Sequence, residues 1–69
     1  MLKAGSMVRA KETLTNTFGE VLFKKDGVYK VVDFYKRWCY IAGELYGESP
    51  ALIKEVESGK WFEIMEEVV

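Results

Sequence analysis

The apolar positions of this chain fall in short runs that favour strands over helices. Met7 to Lys11 alternates, with Val8 and Ala10 on one side and Arg9 and Lys11 on the other. A period of two marks a strand with one buried face. Glu20 to Lys24 repeats the pattern, with Val21 and Phe23 facing in. Lys24-Lys25-Asp26-Gly27 supplies turn chemistry, and Gly27 is free to take a positive φ. Val28 to Tyr35 is then dense in β-branched and aromatic residues, as strands are. Neither face of that strand is clean. Tyr29, Val31, Asp33 and Tyr35 share one, and Val28, Lys30, Val32 and Phe34 share the other. A bulge near Val32-Asp33 resolves the conflict by turning Tyr29, Val31 and Phe34 inward and both charges outward.

Lys36-Arg37 reads as a short basic turn into a strand from Trp38 to Gly43. In that strand Cys39 and Ile41 face one way, Trp38 and Tyr40 the other. Glu44 to Pro50 reads as a loop holding the only proline. Ala51 to Lys54 is a short apolar strand, and Glu55 to Lys60 a turn or a single 3₁₀ turn around Ser58-Gly59. The alternative makes Pro50 to Glu57 a helix, since proline suits a helix start, but Gly59 cuts it very short. Trp61 to Glu66 is the last strand, with Phe62 and Ile64 inward. Residues 1–6 are a lead-in. Glu12 to Phe18, rich in Thr and Asn, reads as a long hairpin loop pinned by Leu14 and Phe18. The expected core is Val21, Phe23, Val31, Ile41 and Ile64.

Composition narrows the picture. A length of 69 residues supports one domain over 1–69. A domain of this size buries only about 60% of its unfolded surface. The 14% aromatic content offsets the thin core with large side chains. A net charge of −1 argues against a dedicated nucleic-acid binder, which carries a basic field. The charge is uneven, however. Residues 1–37 hold eight basic and four acidic side chains, and residues 38–69 two basic and seven acidic, so +4 is followed by −5.

Cys39 is the only cysteine, so no internal disulfide forms. It reads as a small buried hydrophobe, and the free thiol fits a reducing, cytoplasmic setting. Neither a signal peptide nor a membrane span is expected. With no histidine, histidine catalysis and histidine metal sites are excluded. One cysteine cannot build a structural zinc site, and Gly5, Gly19 and Gly27 stand apart rather than forming a phosphate loop. Glu63, Glu66 and Glu67 read as a solvated strand end, and Glu55 and Glu57 likewise. No enzymatic activity, metal or cofactor is expected.

The segment Gly19-Glu20-Val21-Leu22-Phe23-Lys24-Lys25-Asp26-Gly27-Val28-Tyr29-Lys30-Val31 resembles a pattern of Src-homology-3-like barrels. That pattern runs acidic residue, apolar residue, variable residue, Phe, basic turn and alternating strand. Val8-Arg9-Ala10 stands where that family's first strand would be, and Trp38-Cys39 where many members carry a tryptophan pair. The resemblance spans about Val8 to Glu66. It implies an all-β fold: a small five-stranded barrel with a short 3₁₀ turn before the last strand. The small format also resembles proteins of phages or prophages. Peptide-binding members dock proline-rich ligands on an aromatic groove. Of that groove only Trp38 has a counterpart here. Lys11, Glu12, Thr13 and Leu14 offer no tyrosine, and Glu55 to Lys60 has no Pro-x-x-Tyr.

What remains is aromatic surface. Trp38, Tyr40, Tyr46 and Tyr35 form the candidate binding set, for another protein or a second copy of the chain. The opposing possibility is that these rings only cap a thin barrel. Trp61 divides the same way between core edge and contact. A nucleic-acid-binding alternative would use Lys3, Arg9, Lys11, Lys24, Lys25, Lys36 and Arg37, with Tyr35 or Trp38 stacking on bases.

Overall fold

The computed structural model describes residues 2–45 and 47–65. Its elements are β1 (Met7–Ala10), β2 (Leu14–Thr15), β3 (Val21–Phe23), β4 (Val28–Tyr35), β5 (Trp38–Ala42), β6 (Glu48–Leu52), α1 (Ile53–Glu57) and β7 (Phe62–Met65). β1 pairs antiparallel with β4 on one side and β7 on the other, so Val8 and Ala10 are fully buried. β4 turns back into β5, and β5 pairs with β6. The result is a curled, open five-stranded sheet in the order β6-β5-β4-β1-β7. β2 and β3 form a separate two-stranded ribbon.

The mostly-β expectation holds, with differences that have physical causes. The described residues hold seven strands, against five implied by the resemblance and six read from the pattern; the polar stretch from Glu12 to Phe18 contributes the extra one, β2, to a ribbon. Leu14 is half-buried as an apolar pin, but Phe18 is 86% exposed and pins nothing. It rides a tight turn built by Asn16, whose Oδ1 accepts the N–H groups of Phe18 at 2.9 Å and Glu20 at 3.0 Å. The expected loop from Glu44 to Pro50 is shortened, and β6 runs Glu48–Leu52 rather than Ala51 to Lys54. Proline has no N–H to donate, and β6 is an edge strand, where that loss is tolerated.

A short α-helix, α1, replaces the expected 3₁₀ turn. Five residues are too few to hold a helix by propensity. Burial of Val56, 1% exposed, anchors it instead. Gly59, at φ 79, ends it by donating its N–H to the Val56 carbonyl. The lead-in is also part of the fold. Leu2 and Ser6 are buried, and Gly5 donates its N–H to the Val31 carbonyl at 2.7 Å.

The bulge falls where the mixed faces require it. The β4–β5 register skips between Val31 and Asp33, so Val31 opposes Ile41 and Asp33 opposes Tyr40. Tyr29 and Val31 are buried, Phe34 packs against the core, and Lys30 and Asp33 are exposed. Of the expected core, Phe23, Val31 and Ile41 are buried. Val21 and Ile64 are only half-buried, because they lie on the short ribbon and the edge strand β7.

Phe23 joins the ribbon to the sheet. Its ring lies 5.0 Å from Tyr29 and 5.1 Å from Phe62, both edge-to-face, a favoured aromatic geometry. The Tyr29 hydroxyl accepts the Lys24 N–H at 2.7 Å and donates to Glu44 Oε2 at 2.7 Å. The Glu44 N–H donates to the Leu22 carbonyl at 2.8 Å. Two glycines make these approaches feasible. A Cβ on Gly43 would lie 2.4 Å from Leu22 O, and one on Gly27 would lie 2.6 Å from the Tyr29 hydroxyl. Gly27 is therefore needed for space. The left-handed turn position belongs to Asp26, at φ 67.

Gly43→Ala should lower stability by about 1–3 kcal/mol, the usual range for overpacking. A shifted urea midpoint at unchanged slope would register it. Tyr29→Phe keeps the aromatic cluster but removes the hydroxyl's bonds to the Lys24 N–H and to Glu44, which should cost about 0.5–1.5 kcal/mol. Burial pushes the Tyr29 hydroxyl above its ordinary 10.0; the Lys24 N–H opposes the rise and Glu44 adds to it. The fold thus favours the neutral phenol. Its contribution is complete below pH 10 and is lost as pH climbs through the raised value. Urea midpoints measured at increasing alkaline pH should fall more steeply for wild type than for Tyr29→Phe.

Candidate functional site

Burying Cys39 and Ile41 at 0% exposure forces Trp38 and Tyr40 to the opposite face of β5. Residues directly opposite on neighbouring strands share a face. Trp38 pairs with Tyr35 on β4 and with Leu52 on β6, making a row of three apolar side chains. Tyr40 pairs with Asp33 and Pro50 in the next row. Tyr35 is 59% and Trp38 40% exposed, while Tyr40 is half-buried. The structure thus brings three of the four candidate rings onto one face. Tyr46 lies outside the described residues.

The hairpin between Tyr35 and Trp38 is two residues long. Lys36 takes φ 55 there, the left-handed conformation that such tight hairpins demand. Its ammonium sits 5.4 Å from the centre of the Tyr35 ring. Arg37 is fixed at its backbone, where its carbonyl accepts the Ile53 N–H at 2.9 Å. That bond ties the hairpin to the start of α1. An open pocket of about 790 Å³ lies beside it, lined by Arg37, Leu52, Ile53, Lys54, Glu57 and Ser58. Leu52 belongs to both the aromatic row and the pocket. No sequence signal pointed to this pocket, because it depends on α1 folding against β6.

The candidate basic set is not gathered in one place. Arg9 pairs with Glu63 across β1 and β7. Lys11 donates to the Gly59 carbonyl, and Lys24 lies 3.8 Å from Glu44. Lys3 and Lys25 are exposed, and the Lys25 backbone N–H donates to Thr13 Oγ1 at 3.1 Å. Only Lys36 and Arg37 adjoin the aromatic row. Trp61 is half-buried against the core, with the Lys60 ammonium 5.0 Å from its ring centre. Phe18, exposed at its turn tip, is an apolar surface residue the sequence pattern misassigned; the Asn16-to-Gly19 turn chemistry around it was the available signal.

Among the described residues, no cluster of three or more His, Cys, Asp or Glu side chains is placed to hold a metal. No helix among them is long and apolar enough to cross a membrane. Comparison with protein-family models, curated proteins and solved structures found no match.

Cys39 lies on the inner side of the strand that presents Trp38. Burial pushes its thiol up from the ordinary 9.0; its own backbone N–H opposes this and the Glu57 charge adds to it. Such a thiol is both shielded and poor in thiolate. Native protein should therefore react with Ellman's reagent no faster than it unfolds, with the thiol released at once in urea. Fast labelling of the native protein would place Cys39 at the surface instead.

Proposed function

We propose that this chain is a small, non-catalytic protein-interaction module that binds through the outward face of β5. One observation carries the reading: Tyr35 and Trp38 oppose each other across a tight hairpin and stay exposed, in a row with Leu52, which also lines the pocket beside α1. Exposed aromatic side chains grouped on a rigid element are enriched at protein interfaces. A strand is a stiffer platform than a loop, so little ordering entropy opposes docking.

We also read the architecture as an Src-homology-3-like barrel, working in the cytoplasm and of phage or prophage origin. Support for the fold comes from the strand order, with β1 between β7 and β4 and a helix just before the last strand. β2 lies in the long first loop and pairs with β3. Trp38 opens the strand after the basic turn, where the family's tryptophan pair would stand. The partner is another protein or a second copy of this chain. Strand addition at β6 is the less favoured route to self-association, since Pro50 interrupts that edge.

A second reading, nucleic-acid binding, is favoured by Lys36 and Arg37 lying between Tyr35 and Trp38. It predicts binding to oligonucleotides that weakens steeply with salt.

Trp38→Ala should lower stability by about 1–2 kcal/mol, given its partial exposure, and leave the protein folded. It should also abolish retention of partners from a lysate of the source cells, or concentration-dependent dimers in sedimentation. A strict monomer whose captured proteins are identical with and without Trp38 would remove the interaction reading.

A further inference from the structure

We propose that the pocket beside α1 receives an apolar side chain from an acidic peptide segment, with Arg37 and Lys54 at its rim holding flanking carboxylates. The proposal rests on the interaction reading above and names the chemistry of the partner.

The pocket joins an apolar floor to a positive rim. Leu52 and Ile53 supply the floor and are only half-buried by the rest of the chain. Burial of Val56 and the Ile53-to-Arg37 backbone bond hold that floor in place. A volume of about 790 Å³ accommodates a large aliphatic or aromatic side chain. Arg37 and Lys54 both line the pocket, and Lys36 precedes Arg37 in the hairpin.

Three other cations, Arg9, Lys11 and Lys24, already face a carboxylate or carbonyl. Among the described residues, Arg37 and Lys54 make no ion pair and no side-chain hydrogen bond. A guanidinium held by its backbone is suited to a bidentate carboxylate contact. One negative charge opposes this, since Glu57 also lines the pocket. Its carboxylate accepts the Leu2 N–H at 3.4 Å, so part of its capacity faces the protein. Asp33 and Glu48 lie on the same sheet face in the rows beyond Trp38. They confine the positive field to the pocket end. A nucleic-acid backbone needs a longer track of cations than this. A short acidic segment with one apolar anchor suits two rim cations around an apolar floor of Leu52 and Ile53.

The test is selection from a random dodecapeptide library displayed on phage, against the intact immobilised chain. The strongest peptide is then synthesised and its affinity measured by fluorescence anisotropy. Enriched peptides should carry Leu, Ile, Met or Phe flanked by Asp or Glu. The double variant Arg37→Glu with Lys54→Glu should weaken the best peptide about tenfold or more, and Glu57→Gln should strengthen it. Urea midpoints verify that each variant is folded, and Arg37→Gln serves should the double variant fail. Enrichment of neutral or basic peptides that still need Trp38 would overturn the acidic chemistry and leave the interaction surface standing. Enrichment of nothing, or displacement of the best peptide by an oligothymidine dodecamer at lower concentration, would overturn the proposal as well.

Discussion

The structure depends on one aromatic interlock. The ribbon of β2 and β3 has too few residues to stand alone, and a lone two-stranded ribbon is marginal in water. Phe23 gives it an anchor by entering the space between Tyr29 and Phe62. Those two rings come from β4 and β7, which touch opposite sides of β1. One side chain therefore joins the ribbon to two strands of the sheet, on either side of β1. The Tyr29 hydroxyl and the Glu44 N–H complete the attachment by meeting backbone groups that β3 and its turn leave open. Gly43 is the space this closeness requires, which is why an ordinary strand-end residue would not serve there.

The same economy shapes the outer face. A small chain has few residues to place inside, so each strand must divide its side chains sharply between core and solvent. In β5 the inner positions hold Cys39 and Ile41, and the large rings are left outside. Trp38 is 40% exposed, with Tyr35 on one flank and Leu52 on the other. The hairpin and α1 extend that apolar row into a depression with a charged rim. The proposed surface thus follows from how the core was filled.

Much of this was legible in the residues. The alternation of Val8 and Ala10, the inward Cys39 and Ile41, and the bulge after Val31 all follow from period-two patterning with one conflict in it. The β6–α1 region was harder to read. Pro50 signals a loop in most settings, and only the edge position of β6 makes it compatible with a strand. For α1, propensity is uninformative over five residues, and the burial of Val56 is a tertiary fact. Gly27 illustrates a right residue read for a wrong cause: its lack of a side chain matters for the Tyr29 ring, not for a turn angle. The outward aromatic set was visible from strand parity alone. The pocket was not, because its walls come from segments whose meeting no local pattern encodes.

The skipped pairing between Val31 and Asp33 has a consequence beyond tidying a strand. It resets which side of the sheet every later residue of β4 occupies. With an uninterrupted alternation, Asp33 and Tyr35 would point at the interior and Phe34 at water. Loss of a single codon there would thus exchange the two sides of the hairpin arm at one stroke, removing Tyr35 from its place beside Trp38. In descent, such a surface can be gained or erased by a change of length rather than of chemistry.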